Sequence, residues 1–263
     1  DTDDTVSPGS ASPGRMNDTM STPGASELLD PPDAGRVFTA HRRVRLADTD
    51  AQGNLQLDAL YRYAQDIAAD DAEDAMPASD IAWLVRKTLV EVASHPQADD
   101  ELEIATWCSG YGGRWAERRT SLRGQTSGRV EVVTVWVAVD TRTGALARLD
   151  DAFVDAYGAA AGGRRVSASL KHPDAPDQAE RRTWSFRATD IDRLGHVNNA
   201  AYWAVAEELL DDRPDSVRAE LEFREPLPVS VPLELLVHRP APDRCDAWLC
   251  EDGVTKASLR LEL

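Results

Sequence analysis

The stretch Arg45-Leu46-Ala47-Asp48-Thr49-Asp50-Ala51-Gln52-Gly53-Asn54-Leu55 returns 142 residues later as Arg187-Ala188-Thr189-Asp190-Ile191-Asp192-Arg193-Leu194-Gly195-His196-Val197. A repeat of that period is the size of a domain, so the chain reads as two copies of one fold rather than a solenoid of short units. Both copies keep the two aspartates and the glycine. They part at Asn54, whose counterpart is His196. An imidazole is the side chain that exchanges protons near neutral pH, so the second copy is expected to carry the chemistry.

The chain has 263 residues and is 42% hydrophobic, enough for two compact cores. Residues 1–35 hold seven acidic groups, one arginine, five prolines and four glycines, with few large apolar side chains. Such a segment buries too little surface to offset its ordering entropy and is expected to be a disordered acidic tail, in which Met16 or Met20 is a candidate start. Residues 36–160 form the first unit. A break beginning near Gly158, with Gly162-Gly163, Pro173 and Pro176, sets a linker over 161–180, and residues 181–263 form the second unit.

Within the first unit, Phe38, Ala40, Val44 and Leu46 alternate as in a strand, and Leu57, Leu60, Tyr61, Ala64, Ile67 and Ala68 recur at helical spacing. Segments 81–93, 101–109, 114–124 and 129–140 read as strands rich in Val, Thr, Trp and Leu. The second unit repeats the order. Trp184, Phe186 and Ala188 lead into the turn, and a helix is predicted from about Asn198 to Asp211. Val217, Ala219, Leu221 and Phe223 then alternate with charged residues, as do Ala257, Leu259, Leu261 and Leu263. The expectation is an α+β fold in which each half wraps a curved antiparallel sheet around one central helix.

A formal net charge of −17 excludes a general affinity for nucleic acid or anionic membrane. No apolar run approaches the length of a membrane span, and the polar N-terminus lacks the apolar stretch of a signal peptide, so a soluble cytoplasmic protein is expected. Cys108, Cys245 and Cys250 have no metal-ligand spacing and read as structural thiols. With no nucleophile elbow, phosphate loop or zinc helix, neither a cofactor nor a metal is expected.

The run from Asp190 to Trp203, above all His196-Val197-Asn198-Asn199 followed by Tyr202, resembles the active-site stretch of the acyl-acyl-carrier-protein thioesterases, double-hotdog enzymes that release fatty acids from their carrier. The resemblance implies two tandem hotdog domains over residues 36–263. It places Asp192 and His196 on two catalytic positions and, with one residue skipped, Glu225 on a third. At Leu194 the chain departs from the plant members, which carry an asparagine there. The substrate so implied is acyl carrier protein or acyl-coenzyme A. A coenzyme A thioesterase and a non-catalytic acyl-binding protein remain as alternatives, and oligomeric state stays open, a homodimer included.

Thioester hydrolysis needs a base to activate water and donors for the oxyanion. His196 suits the first role, and Asp192, four residues earlier, is placed to accept an imidazole N–H. Val197, Gly195 and Asn198 are the candidate substrate and oxyanion contacts, because they precede a helix whose first N–H groups lack intrahelical partners. Asn198 and Asn199 also suit helix capping. Glu225 continues the odd-numbered apolar series of its strand, so its carboxylate is expected on the apolar side of the sheet. Glu207 and Glu208 are rival carboxylates. Asp48, Asp50 and Asn54 fill the same places in the first half, which is expected to shape the acyl pocket. Trp83, Trp107, Trp115 and Trp136 read first as core and second as pocket lining. Arg42, Arg43, Arg45, Arg114, Arg118, Arg119, Arg181 and Arg182 are the basic clusters on which an acidic carrier or coenzyme A phosphates can dock.

Overall fold

The computed structural model describes residues 30–77, 80–210, 213–227 and 232–263, so most of the expected disordered tail lies outside the described residues. The first half runs β1 (Phe38–Arg43), α1 (Leu57–Ala75), β2 (Ile81–Ser94), β3 (Glu101–Tyr111), β4 (Trp115–Gly124) and β5 (Arg129–Asp140). After α2 (Asp151–Ala161), the second half runs β6 (Glu180–Trp184), α3 (Trp203–Leu209), β7 (Val217–Phe223), β8 (Leu233–Ala241), β9 (Arg244–Glu251) and β10 (Val254–Glu262). Each half is therefore a strand, a helix and four strands. The repeat in sequence is a repeat in topology.

All ten strands join one antiparallel sheet in the order β1-β3-β4-β5-β2-β7-β10-β9-β8-β6. Read from the middle outward, both halves give the same succession. The seam is the pairing of β2 with β7, where Thr88, Val90 and Val92 face Leu221, Ala219 and Val217. These six side chains are buried, and the strict alternation of β7 turns its odd-numbered residues toward the helices. One apolar cluster consequently holds α1 and α3 together, with the Tyr61 and Trp203 rings 5.7 Å apart.

Helix α1 buries Leu57, Leu60, Tyr61, Ala64, Ile67 and Ala68 as their spacing predicts. The second helix is shorter than expected. A 3-10 turn over Asn199–Tyr202 precedes α3, because Asn198 caps at Ala200 and starts the coil with tight i→i+3 bonds. Helix α2 was not anticipated, and it corrects the reading of Gly158 as the start of a break. Asp150 accepts from the Phe153 N–H at 2.9 Å, Gly162 closes the helix at φ +56°, and Phe153 and Tyr157 pack with Cys108 and Ala116 on the outer face of the sheet. An N-cap aspartate, apolar residues four apart and a terminal glycine are the signals that mark it.

The segment after α2 is extended rather than slack. It straps the outer face, with the Tyr111 N–H donating to the Arg164 carbonyl at 3.2 Å and the indoles of Trp115 and Trp248 donating to the Val166 and Pro173 carbonyls, each at 2.8 Å. The anchor is Glu222. It is 0% exposed, and its carboxylate accepts the backbone N–H of Lys171 at 2.6 Å and of His172 at 3.0 Å. The His172 Nδ1 lies 3.0 Å from the Ser258 hydroxyl beneath it. Glu222→Ala removes the acceptor of both N–H groups, that of buried His172 included, for a loss of about 2 kcal/mol. Thermal unfolding should show a drop of about 4–8 °C, and limited proteolysis should cut first between residues 163 and 179.

Candidate active site

The two copies of the repeated stretch fold into turns with matching backbone hydrogen bonds. In the first, Asp50 N–H donates to the Asn54 carbonyl at 2.9 Å, Gly53 N–H to the Asp50 carbonyl at 3.1 Å, Leu55 N–H to the Pro96 carbonyl at 2.8 Å and Gln56 N–H to the Asp48 carbonyl at 2.9 Å. In the second, the same bonds run from Asp192 to His196 at 2.8 Å, Gly195 to Asp192 at 3.0 Å, Val197 to Leu227 at 3.1 Å and Asn198 to Asp190 at 2.8 Å. Gly53 and Gly195 stand at φ +86° and +80°, a region an L side chain enters only with strain. Asp50 Oδ1 accepts from Gln52 and Asn54 N–H, and Asp192 Oδ1 accepts from Leu194 N–H at 2.8 Å and His196 N–H at 3.2 Å. Aspartate and glycine therefore recur because the turn needs them.

The side chains around the two turns differ. At the first, Asn54 donates to Asp50 Oδ2 at 3.1 Å and accepts from Gln97 at 2.6 Å, while Arg213 Nε lies 2.7 Å from Asp50 Oδ2. Burial opposes ionisation of Asp50, but hydrogen bonds from Asn54 and the Arg213 charge outweigh it and hold the carboxyl below its usual range. At the second turn, His196 is exposed and its ring has no hydrogen-bond partner among the described residues. The expected bond from the imidazole to Asp192 is replaced by the two backbone N–H groups on Oδ1. One turn is filled and the other is open.

Each helix also reaches across to the turn of the other half. Glu207, on α3, accepts the Leu57 N–H at the start of α1 at 2.5 Å and pairs with Arg213. Its counterpart 142 residues earlier is Gln65, on α1, which donates from Nε2 to Asn198 Oδ1 at 3.1 Å and accepts from Asn199 Nδ2 at 3.5 Å. Sequence reasoning passed over Gln65, although the repeat offset aligns it with Glu207. Glu208 is exposed.

A model described as the acyl-ACP thioesterase N-terminal domain matches residues 35–157, and one described as the acyl-ACP thioesterase C-terminal domain matches residues 174–221. The chain belongs to the acyl-ACP thioesterase family. An uncharacterized protein of Mycobacterium tuberculosis is 29% identical over 212 residues, covering 79% of this chain and 85% of its own. The chloroplastic oleoyl-acyl carrier protein thioesterase 2 of Arabidopsis thaliana is 27% identical over 148 residues, covering 50% of this chain and 40% of its own. Among solved structures, an acyl-ACP thioesterase from Bacteroides thetaiotaomicron has a TM-score of 0.70 at 16% identity over 86% of this chain and 97% of its own. The 12:0-ACP thioesterase of Umbellularia californica has a TM-score of 0.68 at 20% identity over 86% of this chain and 96% of its own. The fold is thus the α+β double hotdog of these thioesterases.

In this thioesterase family member several expected site residues sit elsewhere. Glu225 does not face the apolar side, because β7 ends at Phe223 and the chain bends at Arg224 and Glu225. Its side chain is 58% exposed and lies 2.5 Å from Lys256. The buried carboxylate of that strand is Glu222, which its parity puts on the outer face and the strap covers. The Val197 N–H is bonded to Leu227 and is not an available oxyanion donor, although that bond sets the 225–227 loop beside the turn. Trp83 packs on Phe153, and Trp115 lies under the strap, so both stand on the outer face away from α1 and α3. Arg42, Arg43, Arg118, Arg181 and Arg182 are paired with Asp70, Asp99, Asp71, Glu234 and Glu180, and Arg119 is 2% exposed beside Glu117. Arg45 and Arg114 are exposed.

A cavity of about 910 Å³ opens on the outer face among Arg86, His172, Arg224, Leu236 and Val254, and no residue of the His196 turn lines it. On the inner face a void of about 10 Å³ lies between Tyr202, Val205 and the sheet residues Leu235 and Leu259, room for a single water. His172, Glu220 and Glu222 are near enough to share a cation. Glu222 is already occupied by the strap and Glu220 lies 3.6 Å from the His172 ring, so the cluster serves as an anchor.

Two outcomes follow from the crossed helices. Glu207→Ala strips the α1 cap and the Arg213 pair and should lower stability by about 2 kcal/mol, with Glu207→Gln losing less because an amide oxygen still accepts from Leu57. Asp50 has a folded pKa below its unfolded value, so its contribution is whole above the ordinary carboxylate pKa near ~4 and is lost as pH falls through the depressed value. Urea unfolding against pH should show a shallower acid loss in Asp50→Asn than in wild type.

Proposed function

We propose that this chain hydrolyses the thioester of fatty acyl carrier protein, with His196 as general base. The observation that carries the reading is the contrast between the repeated turns: among the described residues the His196 ring stands exposed and unpartnered, whereas Asn54 in the equivalent place is bonded to Asp50 and Gln97. Water gives a proton to the imidazole while its oxygen bonds to the thioester carbon, and the carbonyl electrons move to oxygen. Collapse of the adduct breaks the C–S bond, and the imidazolium returns the proton to the departing thiolate. The products are a free fatty acid and a free thiol.

Asp192 acts through the turn. Its Oδ1 fixes the Leu194 and His196 N–H groups and so holds the imidazole where it is presented. Arg193, exposed three residues before His196 and without an ion pair among the described residues, offers a cation to the phosphate of a pantetheine arm on a chain that is otherwise acidic. The carrier protein is favoured over coenzyme A by the relatives named for carrier-bound substrates.

Free thiol released from matched acyl-carrier and acyl-coenzyme A substrates tests this. His196→Ala should lower kcat by about 10²-fold or more. Asp192→Ala should lose about tenfold and Asp192→Asn less, since an amide oxygen still accepts the turn's N–H groups. Faster turnover of the coenzyme A substrate would move the activity to that carrier, and tight binding without turnover by the wild type would make the protein an acyl-binding module.

A further inference from the structure

Leu194 carries no amide, and its side chain is 65% exposed. The backbone N–H groups from Leu194 to Asn198 are already engaged. The N–H groups of Leu194 and His196 go to Asp192 Oδ1, that of Gly195 to the Asp192 carbonyl, that of Val197 to Leu227 and that of Asn198 to Asp190. What the turn retains is the side-chain amide of Asn198. Val197 is buried in extended backbone, with a bridge to Ile191, so residues 196 and 198 fall on the opposite side together.

The orientation of that amide is determined by its partners. Asn198 Oδ1 accepts the Ala200 N–H at 2.8 Å, so the oxygen points to the helix and Nδ2 is directed elsewhere, with no partner among the described residues. A second donor, Gln65 Nε2, reaches the same oxygen at 3.1 Å from the N-terminal half. The other half solves the capping differently. Gln56, the counterpart of Asn198, makes no side-chain capping bond, and the Glu207 carboxylate caps α1 across the interface. A carboxylate at 65 could not donate to Asn198 Oδ1, which accounts for an amide at this position and an acid at 207.

We propose that Asn198 Nδ2 donates to the thioester carbonyl oxygen, replacing the amide absent at 194, and that Gln65 is the positioning residue that holds it. The site is then composite, with its base and its donor from the C-terminal half and its brace from the N-terminal half. This rests on the reading of the His196 turn as the place where the thioester is hydrolysed.

The test separates capping from donation. Asn198→Asp and Asn198→Ser each keep a capping oxygen but lose the Nδ2 donor. With oleoyl-acyl carrier protein and oleoyl-coenzyme A as probes, both variants should melt as wild type does and lose about a hundredfold in kcat. Gln65→Ala should lose about tenfold in kcat with KM within about twofold, and the Gln65→Ala/Asn198→Asp pair should be no slower than Asn198→Asp alone. Wild-type turnover in the two Asn198 variants, or a Gln65→Ala loss that multiplies on top of Asn198→Asp, overturns the proposal. His196→Ala distinguishes the layers. If it is inactive while Gln65→Ala and the Asn198 variants are unimpaired, the proposal falls alone; if it is active while they are impaired, the base assignment falls and the carbonyl site stands.

Discussion

The hydrogen-bonded seam between β2 and β7 is the contact on which the remaining architecture depends. Because these two strands pair, ten strands make one sheet, and the helices of both halves are pressed into one core instead of two. The register is held on both faces. Val90 opposite Ala219 and Val92 opposite Val217 exclude water on the helix side, and Glu91 lies 2.6 Å from Arg218 on the other. A one-residue slip would turn every apolar residue of β7 outward. With the seam fixed, α1 and α3 lie against one another, and each can set a side chain on the turn that begins the other.

That crossing explains why the duplicated turns have different fates on nearly identical backbones. The aspartate that accepts two N–H groups and the glycine at positive φ are conditions of the turn itself, so both copies keep them. The position after the glycine is under no such demand. In the first copy it holds Asn54, locked between Asp50 and Gln97, and Arg213 closes the site with a charge. In the second it holds His196, exposed and unpaired among the described residues. A well-braced turn stabilises the fold, and the open one is the turn proposed to react.

Much of this was legible in the residues. The helical spacing from Leu57 to Ala68, the alternation from Val217 to Phe223 and the internal repeat each reflect a periodicity that burial enforces, and each element stands where it was expected. The readings that failed turn on where an element begins or ends and on contacts distant in the sequence, which periodicity alone does not encode. Gly158 was read as a break although it lies inside α2, where the helix packs on β3 beside Tyr111. Parity predicted a buried carboxylate at 225, but a strand's parity holds only while the strand lasts, and the strap over the outer face buried Glu222 instead. Gln65 looked like one more polar residue on a helix. Only its 142-residue relation to Glu207, set beside the crossed helices, gives it a partner.

The central claim is that one of two equivalent turns is the reacting one. An isotope-labelled sample titrated with an acyl-pantetheine analogue, in which a methylene replaces the thioester sulfur, tests it most directly by magnetic resonance. The account predicts that the His196 ring signals shift on saturation while the Asn54 side-chain amide stays in place. Movement at Asn54 with His196 unchanged would contradict it.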